Sequence, residues 1–189
     1  MVNQEIRGKI HREHPLQELL KFAAIAILIV IPIRLFIAQP FIVNGSSMVP
    51  TFTDGDYLIV DEISYRFNDP GRGEVIVFRF PNDPSKFFIK RIIGLPGETV
   101  EIRGGNVFIT NTEFPNGEQL YEPYVFHPSE NQIKVKLGDD EYFVMGDNRA
   151  QSSDSRVWGP LPRHFLVGQA FLRLLPLMSL GYLPGDINP

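Results

Sequence analysis

One long apolar run near the N-terminus limits what the rest of this chain can be. Residues 19–37 are apolar except at Lys21 and Arg34, and the uncharged stretch between these two includes Pro32. At about 1.5 Å per residue the run makes a helix of roughly 28 Å, close to the thickness of the hydrocarbon core of a bilayer. Lys21 and Arg34 then lie near its two ends, where their long side chains reach the lipid–water interface. The run therefore predicts a single transmembrane helix over residues 19–37.

Two other interpretations of this run stay open, a cleavable signal peptide and the core helix of a soluble domain. No small-x-small cleavage site follows the run, which continues into Gln39, Pro40 and Phe41. The flanking charges favour the membrane, because cytoplasmic flanks carry the excess of Lys and Arg. After Arg34 the next basic residue is Arg66, whereas four precede or begin the run: Arg7, Lys9, Arg12 and Lys21. We expect a cytoplasmic segment at residues 1–18 and an extracytoplasmic body.

The composition limits the kinds of protein that the segment after the apolar run can be. The net charge of −4 argues against nucleic-acid binding, which usually requires a strongly basic face. The absence of cysteine excludes disulfides and thiolate metal sites. With 16 Gly, 16 Pro and 15 Phe, the chain is typical of a turn-rich β protein rather than of a helical bundle.

Short strand-like runs separated by turn residues fill the chain from Pro40 onward. A hairpin is predicted where residues 100–103 and 106–110 flank Gly104-Gly105, and another where residues 133–137 and 142–145 flank residues 138–140. The apolar segment 165–178 is interrupted by polar residues and predicts a buried strand. The predicted fold is mainly β and antiparallel, with a main core formed by residues 40–98 and 141–178, a small inserted β lobe at 99–140 and a C-terminal tail at 179–189.

Two segments offer a nucleophile and a base. Ser47 lies in a Gly-Ser-Ser-Met-Val-Pro turn that can present a hydroxyl and its own backbone N–H to a ligand, although such turns are also common as plain loops. Lys90 shares one strand face with Phe88 and Ile92. It is either a strand-edge lysine whose head reaches water or a desolvated lysine with a lowered pKa, and only the second is a competent general base.

A third segment, residues 146–156, crowds polar and charged residues between apolar ones. It is either a solvated loop or a buried lattice of ion pairs, and its serines are candidate partners for a neighbouring base. A Ser–His–Asp triad lacks a suitable histidine, because His11 and His14 precede the predicted span and His127 and His164 have no distinctive context. No dinucleotide fingerprint, P-loop or metal-ligand spacing is present, so Ser plus Lys is the nucleophile–base pair that the sequence supplies best.

Four blocks in order, behind the apolar run, resemble bacterial type I signal peptidase. They are Gly-Ser-Ser-Met-Val-Pro-Thr at 45–51, Arg-Gly-Glu-Val-Ile-Val-Phe at 72–78, Lys-Arg-Ile-Ile-Gly-Leu-Pro-Gly-Glu at 90–98 and Gly-Asp-Asn-Arg-x-x-Ser-x-Asp-Ser-Arg at 146–156. The resemblance implies a membrane-bound serine endopeptidase with Ser47 as nucleophile, Lys90 as general base and Ser152 orienting that lysine. It implies ion pairs that hold the site together at four further positions: Asp147, Arg149, Asp154 and Arg156.

The resemblance also implies the substrate. Exported preproteins with small residues at the first and third positions before the cut would bind as an extended strand, with pockets lined by Phe41, Val43 and Ile89, and would be cleaved through an acyl-enzyme without a metal or cofactor. Gly45 stands where some members carry a serine that donates a second oxyanion hydrogen bond, so the Ser47 N–H is the donor that remains. Ala150 stands where many members carry an acidic or amide residue.

The resemblance to compact Gram-positive and cyanobacterial members leaves both a cell membrane and a thylakoid membrane as expected locations. The lipid bilayer and preproteins are the expected partners, and nucleic acid is not. Two rival functions remain. A self-cleaving Ser–Lys repressor would need a DNA-binding module, and no such segment precedes Ser47. The second rival is a membrane-anchored β domain that only binds extracytoplasmic proteins, and such a domain would not need Ser47, Lys90 and Ser152 together.

Overall fold

The computed structural model describes residues 15–36, 38–128 and 130–186. Residues 1–14 of the predicted cytoplasmic segment lie outside the described residues, as do Ile37 at the end of the predicted span and residues 187–189 of the predicted tail. The chain divides into two compact units, Met1–Phe36 and Ile37–Pro189.

The first unit contains the helix α1, Pro15–Phe36. Its large apolar side chains are exposed from Leu16 to Val30. Among the described residues, no helix combines the length and the apolar character that crossing a membrane requires.

The second unit is mainly β, and every strand pair in it is antiparallel, as predicted. The larger sheet has eight strands, and their bounds are β1 Ala38–Ile42, β2 Tyr57–Asp61, β3 Val75–Phe80, β4 Asp83–Gly94, β9 Glu141–Met145, β10 Leu161–Pro162, β11 Leu166–Leu175 and β12 Gly181–Tyr182. Their order in the sheet is β1-β2-β11-β3-β4-β9-β10, with β12 paired to β11. A short helix α2, Ser155–Trp158, follows β9, and 3₁₀ turns lie at Ser64–Arg66, Arg149–Gln151, Arg163–Phe165 and Leu177–Ser179.

A smaller sheet of four strands has the order β7-β6-β5-β8, with β5 Thr99–Arg103, β6 Asn106–Thr110, β7 Glu118–Gln119 and β8 Ile133–Lys136. The predicted hairpin around Gly104-Gly105 is confirmed, because Arg103 pairs with Asn106. All four strands fall within residues 99–136. The buried side chains of β5 and β6 pack with Ile93, Phe143 and Met145 of the larger sheet, so the two sheets share one apolar cluster.

The second predicted hairpin is wrong. Strand β8 pairs with β5 in the smaller sheet, whereas β9 pairs with β4 and β10 in the larger one. The Leu137 N–H donates to the Glu98 carbonyl at 2.8 Å and the Gly97 N–H donates to the Gly138 carbonyl at 3.0 Å. These bonds hold the turn against the β4–β5 connection, so the chain passes from one sheet to the other there instead of folding back on itself.

Strand register brings the two chemically distinctive segments together. In the β4–β9 pair Arg91 lies opposite Met145, the last residue of β9. The polar segment that begins at Gly146 therefore starts beside Lys90 and Arg91. The loop that carries Ser47 joins β1 to β2, and its apolar residues Met48 and Phe52 are buried with Val43 beneath it.

Candidate active site

The Ser47 loop is held at both its ends and its middle. The Val43 N–H donates to the Asp56 carbonyl and the Gly55 N–H donates to the Val43 carbonyl, each at 2.9 Å, which closes the loop at its base. Gly45 has a φ of +90°, a conformation that L side chains rarely adopt, and its N–H donates to Asp54 Oδ1 at 2.7 Å. Ser47 is half-buried at the top of the loop.

Lys90 reaches Ser47 from the neighbouring strand. Its Nζ donates to Ser47 Oγ at 2.8 Å and to the Ile89 carbonyl at 2.8 Å. The Lys90 side chain is only 4% exposed, so the strand-edge interpretation, in which its head reaches water, is wrong. Burial lowers the pKa of Lys90 from 10.5 to about 8, against the opposing charges of Asp154 and Asp147. A lysine in this state exchanges its proton near neutral pH.

The polar segment after β9 packs directly on the Ser47 loop. The Asn148 N–H donates to the Ser47 carbonyl at 3.0 Å, and its side-chain amide donates to the Ser46 carbonyl at 3.1 Å. Gly146 lies so close that an added Cβ would be 2.4 Å from the Ser47 carbonyl oxygen and 2.3 Å from Ser152 Oγ. Only glycine fits at position 146, because any side chain would push the Ser47 carbonyl oxygen and the Ser152 hydroxyl apart.

Arg91 and Asp147 form a buried ion pair behind the site. Arg91 Nε donates to Asp147 Oδ1 at 2.9 Å and its Nη2 to Oδ2 at 2.6 Å, while both residues are at most 1% exposed. The Thr51 hydroxyl also donates to Asp147. Arg91 Nη1 donates to the Gly73 carbonyl at 2.7 Å and to the Gly185 carbonyl. The Ser47 loop, β4 and the polar segment are thereby joined around one carboxylate.

The two arginines of the polar segment are also paired. Arg156 bonds both oxygens of Asp154 at 2.8 Å, and Asp154 also accepts from the Gly146 N–H at 3.0 Å. Burial raises the pKa of Asp154, but the hydrogen bond and charge of Arg156 and the Gly146 N–H outweigh it and lower the pKa overall. Arg149 pairs with Glu122, which lies in the connection between β7 and β8.

Ser152 Oγ is buried and forms no well-aligned hydrogen bond within the described part of the chain, although it lies near enough to Asp154 to help lower the pKa of that carboxyl. It therefore makes no bond to Lys90 there, and the orienting role of Ser152 stays a prediction.

A cleft of about 420 Å³ opens in front of Ser47 and Lys90. The three predicted pocket residues, Phe41, Val43 and Ile89, all line it. Its other lining residues are Ile42, Asn44, Leu58, Val77, Lys86, Phe87, Phe88 and Ser153. The rings of Phe41 and Phe87 meet edge to face, with centroids 5.2 Å apart, so β1 and β4 approach each other at the cleft. Among residues 15–36, 38–128 and 130–186, no three His, Asp or Glu side chains are grouped as metal ligands.

Residues 16–175 match the sequence profile of the signal peptidase family, peptidase S26. The chain belongs to this family. It is 44% identical to the "probable signal peptidase I-2" of Synechocystis sp., over 89% of this chain and 78% of the relative. It is 41% identical to the "signal peptidase I" of Leptolyngbya laminosa, over 90% of this chain and 85% of the relative. A crystal structure of a signal peptidase I from Enterococcus faecalis is similar with a TM-score of 0.47 and 30% identity, over 54% of this chain and 97% of that one.

In this S26 peptidase, the sequence-predicted site residues converge, and the structure adds partners that the sequence did not indicate. Arg91 supplies the ion partner of Asp147, Thr51 adds a hydroxyl, and Glu122 supplies the partner of Arg149. The signal for Arg91 was its place beside Lys90 in a buried strand, where an arginine requires a counter-charge. Glu122 lies in a loop-like stretch and carries no local signal.

Proposed function

We propose that this chain cleaves signal peptides from exported preproteins, with Ser47 as the nucleophile and Lys90 as the general base. The contact of 2.8 Å between Lys90 Nζ and Ser47 Oγ, made by a buried lysine whose pKa lies near 8, carries the proposal. A base of that pKa can take a serine proton near neutral pH, whereas an ordinary lysine stays protonated. The direct test is incubation of the purified chain with a preprotein: a shortened product with the expected new N-terminus supports the proposal, and an intact preprotein contradicts it.

In the acylation step neutral Lys90 accepts the Ser47 proton while Ser47 Oγ bonds to the carbonyl carbon of the scissile peptide. The Ser47 N–H makes no hydrogen bond to any group of the described residues and is free to donate to the oxyanion. The carbon–nitrogen bond then breaks, and Lys90 returns its proton to the leaving amine. A water molecule next gives a proton to Lys90 and its oxygen to the acyl carbon, and Ser47 Oγ leaves and regains the proton.

Ser152 completes this proposed site as the residue that orients Lys90. Its Oγ is buried beside Gly146, and a bond from its hydroxyl to the nearby Asp154 would use only its proton, so its oxygen is available to accept a hydrogen bond from the lysine. Asp147, Arg149, Asp154 and Arg156 are proposed to hold the surrounding loop rather than to touch substrate.

The substrate is proposed to bind as an added strand in the cleft. β1 is at the edge of the larger sheet, and β9 pairs with β4 only from Arg91 onward, so both strands that border the cleft have backbone groups free for pairing. Alternate side chains of an extended peptide face the same way. The first and third residues before the cut would enter the apolar pocket lined by Phe41, Val43 and Ile89.

Replacing alanine by leucine at the first position before the cut is expected to lower kcat/KM roughly 5- to 150-fold, because overpacking costs about 1–3 kcal/mol. Aspartate at the third position should be at least as harmful, since it would place an unpaired charge among apolar side chains. Synthetic substrates that differ at one position provide the measurement. Leucine at the second position, whose side chain faces the other way, is the matched control and should change kcat/KM less than threefold, on the order of an ordinary exposed substitution. Equal rates for alanine and leucine at the first position would refute the pocket.

We also propose that α1 anchors the chain in a lipid bilayer, with the N-terminus in the cytoplasm and the body outside. The exposed apolar side chains of α1 support this proposal, because lipid would cover them, and so does the excess of Lys and Arg before the run. The location is then a cell membrane, or a thylakoid membrane in a photosynthetic cell.

Protease added outside intact spheroplasts is expected to digest the body after Pro40 and to leave the first 18 residues attached to the membrane. Mass spectrometry of the membrane fraction detects the surviving peptide. Lysed spheroplasts, in which both sides are accessible, are the control. An intact body with a digested N-terminus would reverse the orientation, and recovery of the undigested chain without membrane would refute the anchor.

A further inference from the structure

We infer that Glu122, in the connection between β7 and β8, is a positioning residue for the Ser47 loop and acts through Arg149. The inference rests on the proposed function. Glu122 and Arg149 side chains are 9% and 1% exposed. Arg149 Nη1 donates to Glu122 Oε2 at 3.2 Å, and Nη2 donates to the other carboxylate oxygen. A two-pronged pair in this geometry fixes the orientation of the guanidinium as well as its position.

The other hydrogen-bonding groups of Arg149 contact the segment that packs against Ser47. Its Nε donates to the Gly146 carbonyl at 3.1 Å, and its own carbonyl accepts from Arg156 Nη2 at 2.7 Å. Gly146 is the residue that approaches the Ser47 carbonyl too closely for any side chain. Arg149, together with Asp154 on the Gly146 N–H, therefore fixes where Gly146 sits, and Gly146 in turn limits where Ser47 can sit.

Glu122 is the single carboxylate that pairs with Arg149 in the described part of the chain. Asp154 lies in the same segment, but both of its oxygens are already bonded to Arg156. Without Glu122 the Arg149 guanidinium would be buried and uncompensated, which is strongly unfavourable. We expect Arg149 then to turn toward water and to release the Gly146 carbonyl.

Tyr124 links the same connection to the second buried arginine. Its hydroxyl donates to Glu122 Oε1 at 3.1 Å, and its ring lies under Arg91, with the guanidinium carbon 3.9 Å from the ring centroid. Arg91 is the partner of Asp147. The connection between two strands of the smaller sheet thus contacts two buried arginines, Arg91 beside Lys90 and Arg149 beside Gly146.

The test compares Glu122→Gln with the wild type and with Glu118→Gln, an exposed glutamate of β7 in the same sheet. Glu122→Gln keeps the size of the side chain and removes its charge. We expect kcat to fall about 10- to 100-fold with KM within about twofold, because the reacting groups move while the cleft stays. Glu122→Asp, which keeps the charge, should recover part of kcat. Glu118→Gln should match the wild type in both constants.

A second readout does not depend on cleavage. Release of Gly146 should admit water beside Lys90, so in Glu122→Gln the pKa of Lys90 should rise toward the ordinary lysine value, while in Glu118→Gln it should not. NMR titration of labelled lysines measures this shift, with Lys90→Arg used to assign the signal. An unshifted Lys90 pKa, or a kcat within twofold of the wild type, would overturn the inference. If the wild type cleaves no preprotein the proposed function fails, and the titration still decides the role of Glu122.

Discussion

Lys90→Ala is expected to lower kcat for preprotein cleavage at least about 1,000-fold, and Ser47→Ala at least as much. Loss of a general base alone removes about 100- to 10,000-fold, and loss of the nucleophile removes the covalent route altogether. The variant that lacks both residues should be hardly worse than either single variant, because a nucleophile and its base act as a unit. Steady-state kinetics on one synthetic signal-sequence substrate measures all three.

Lys86→Ala is the matched control. Lys86 lies in the same strand and lines the same cleft, but its side chain is 65% exposed and pairs with Asp83 at the surface. It should keep nearly full kcat. Lys90→Met should fold at least as well as the wild type at pH 7, since below a pKa of about 8 the wild type carries a buried ammonium whose lost solvation costs stability, and methionine removes that charge. A Lys90→Ala enzyme with more than a tenth of the wild-type kcat would exclude Lys90 as the base.

The same assignment determines the pH dependence. Lys90 must be neutral to accept the Ser47 proton, and burial lowers its pKa to about 8. kcat/KM should therefore rise about tenfold per pH unit up to pH 8 and then level off, so that at pH 6 it is about 1% of the plateau. Lys90→Arg should be inactive at every pH, since a guanidinium does not deprotonate in this range. A profile flat from pH 6 to 10 would contradict a titrating lysine.

The amino-acid pattern alone predicts those parts of the site in which a residue's surroundings are set by residues close to it in the chain. Phe88 and Ile92 flank Lys90 at a spacing of two, so a strand places all three on one face, and apolar neighbours on that face are what desolvates the ammonium. Likewise, Gly104-Gly105 between two alternating runs suffices to define the β5–β6 hairpin, because the turn and both strands are adjacent in the chain.

Features that depend on distant segments could not be predicted in this way. The turn at Gly138 has residues typical of a hairpin. Strand β8 nevertheless pairs with β5, and β9 pairs with β4, so β8 and β9 do not pair with each other. Glu122 is separated from Arg149 by 27 residues, and no periodicity connects the two. The charges of residues 146–156 indicate that counter-ions are needed, and only the folded chain shows that two of them, Arg91 and Glu122, come from outside the segment.

Asp147→Ala is expected to produce the largest loss of stability. It would leave the Arg91 guanidinium, which is 0% exposed, without its carboxylate, and breaking a buried pair in this way costs about 3–5 kcal/mol. The Thr51 hydroxyl would lose its acceptor as well. At roughly 2–4 °C per kcal/mol for a unit of this size, Tm should fall by roughly 6–20 °C. Thermal unfolding of purified protein, followed by circular dichroism, gives the value.

The matched control is Asp69→Asn, which breaks a pair of the same chemical type at the surface. Asp69 bonds Arg163 at 2.5 Å, but its side chain is 86% exposed, so solvent replaces the lost partner. Exposed pairs contribute about 0–1 kcal/mol, and Asp69→Asn should change Tm by no more than about 4 °C. If Asp147→Ala were as mild as Asp69→Asn, the Arg91–Asp147 pair would not stabilise the fold. If Tm falls strongly for Asp147→Ala but not for Asp69→Asn, the loss of stability comes from burial of the Arg91–Asp147 pair. Burial is also the condition that keeps Lys90 neutral enough to act as a base.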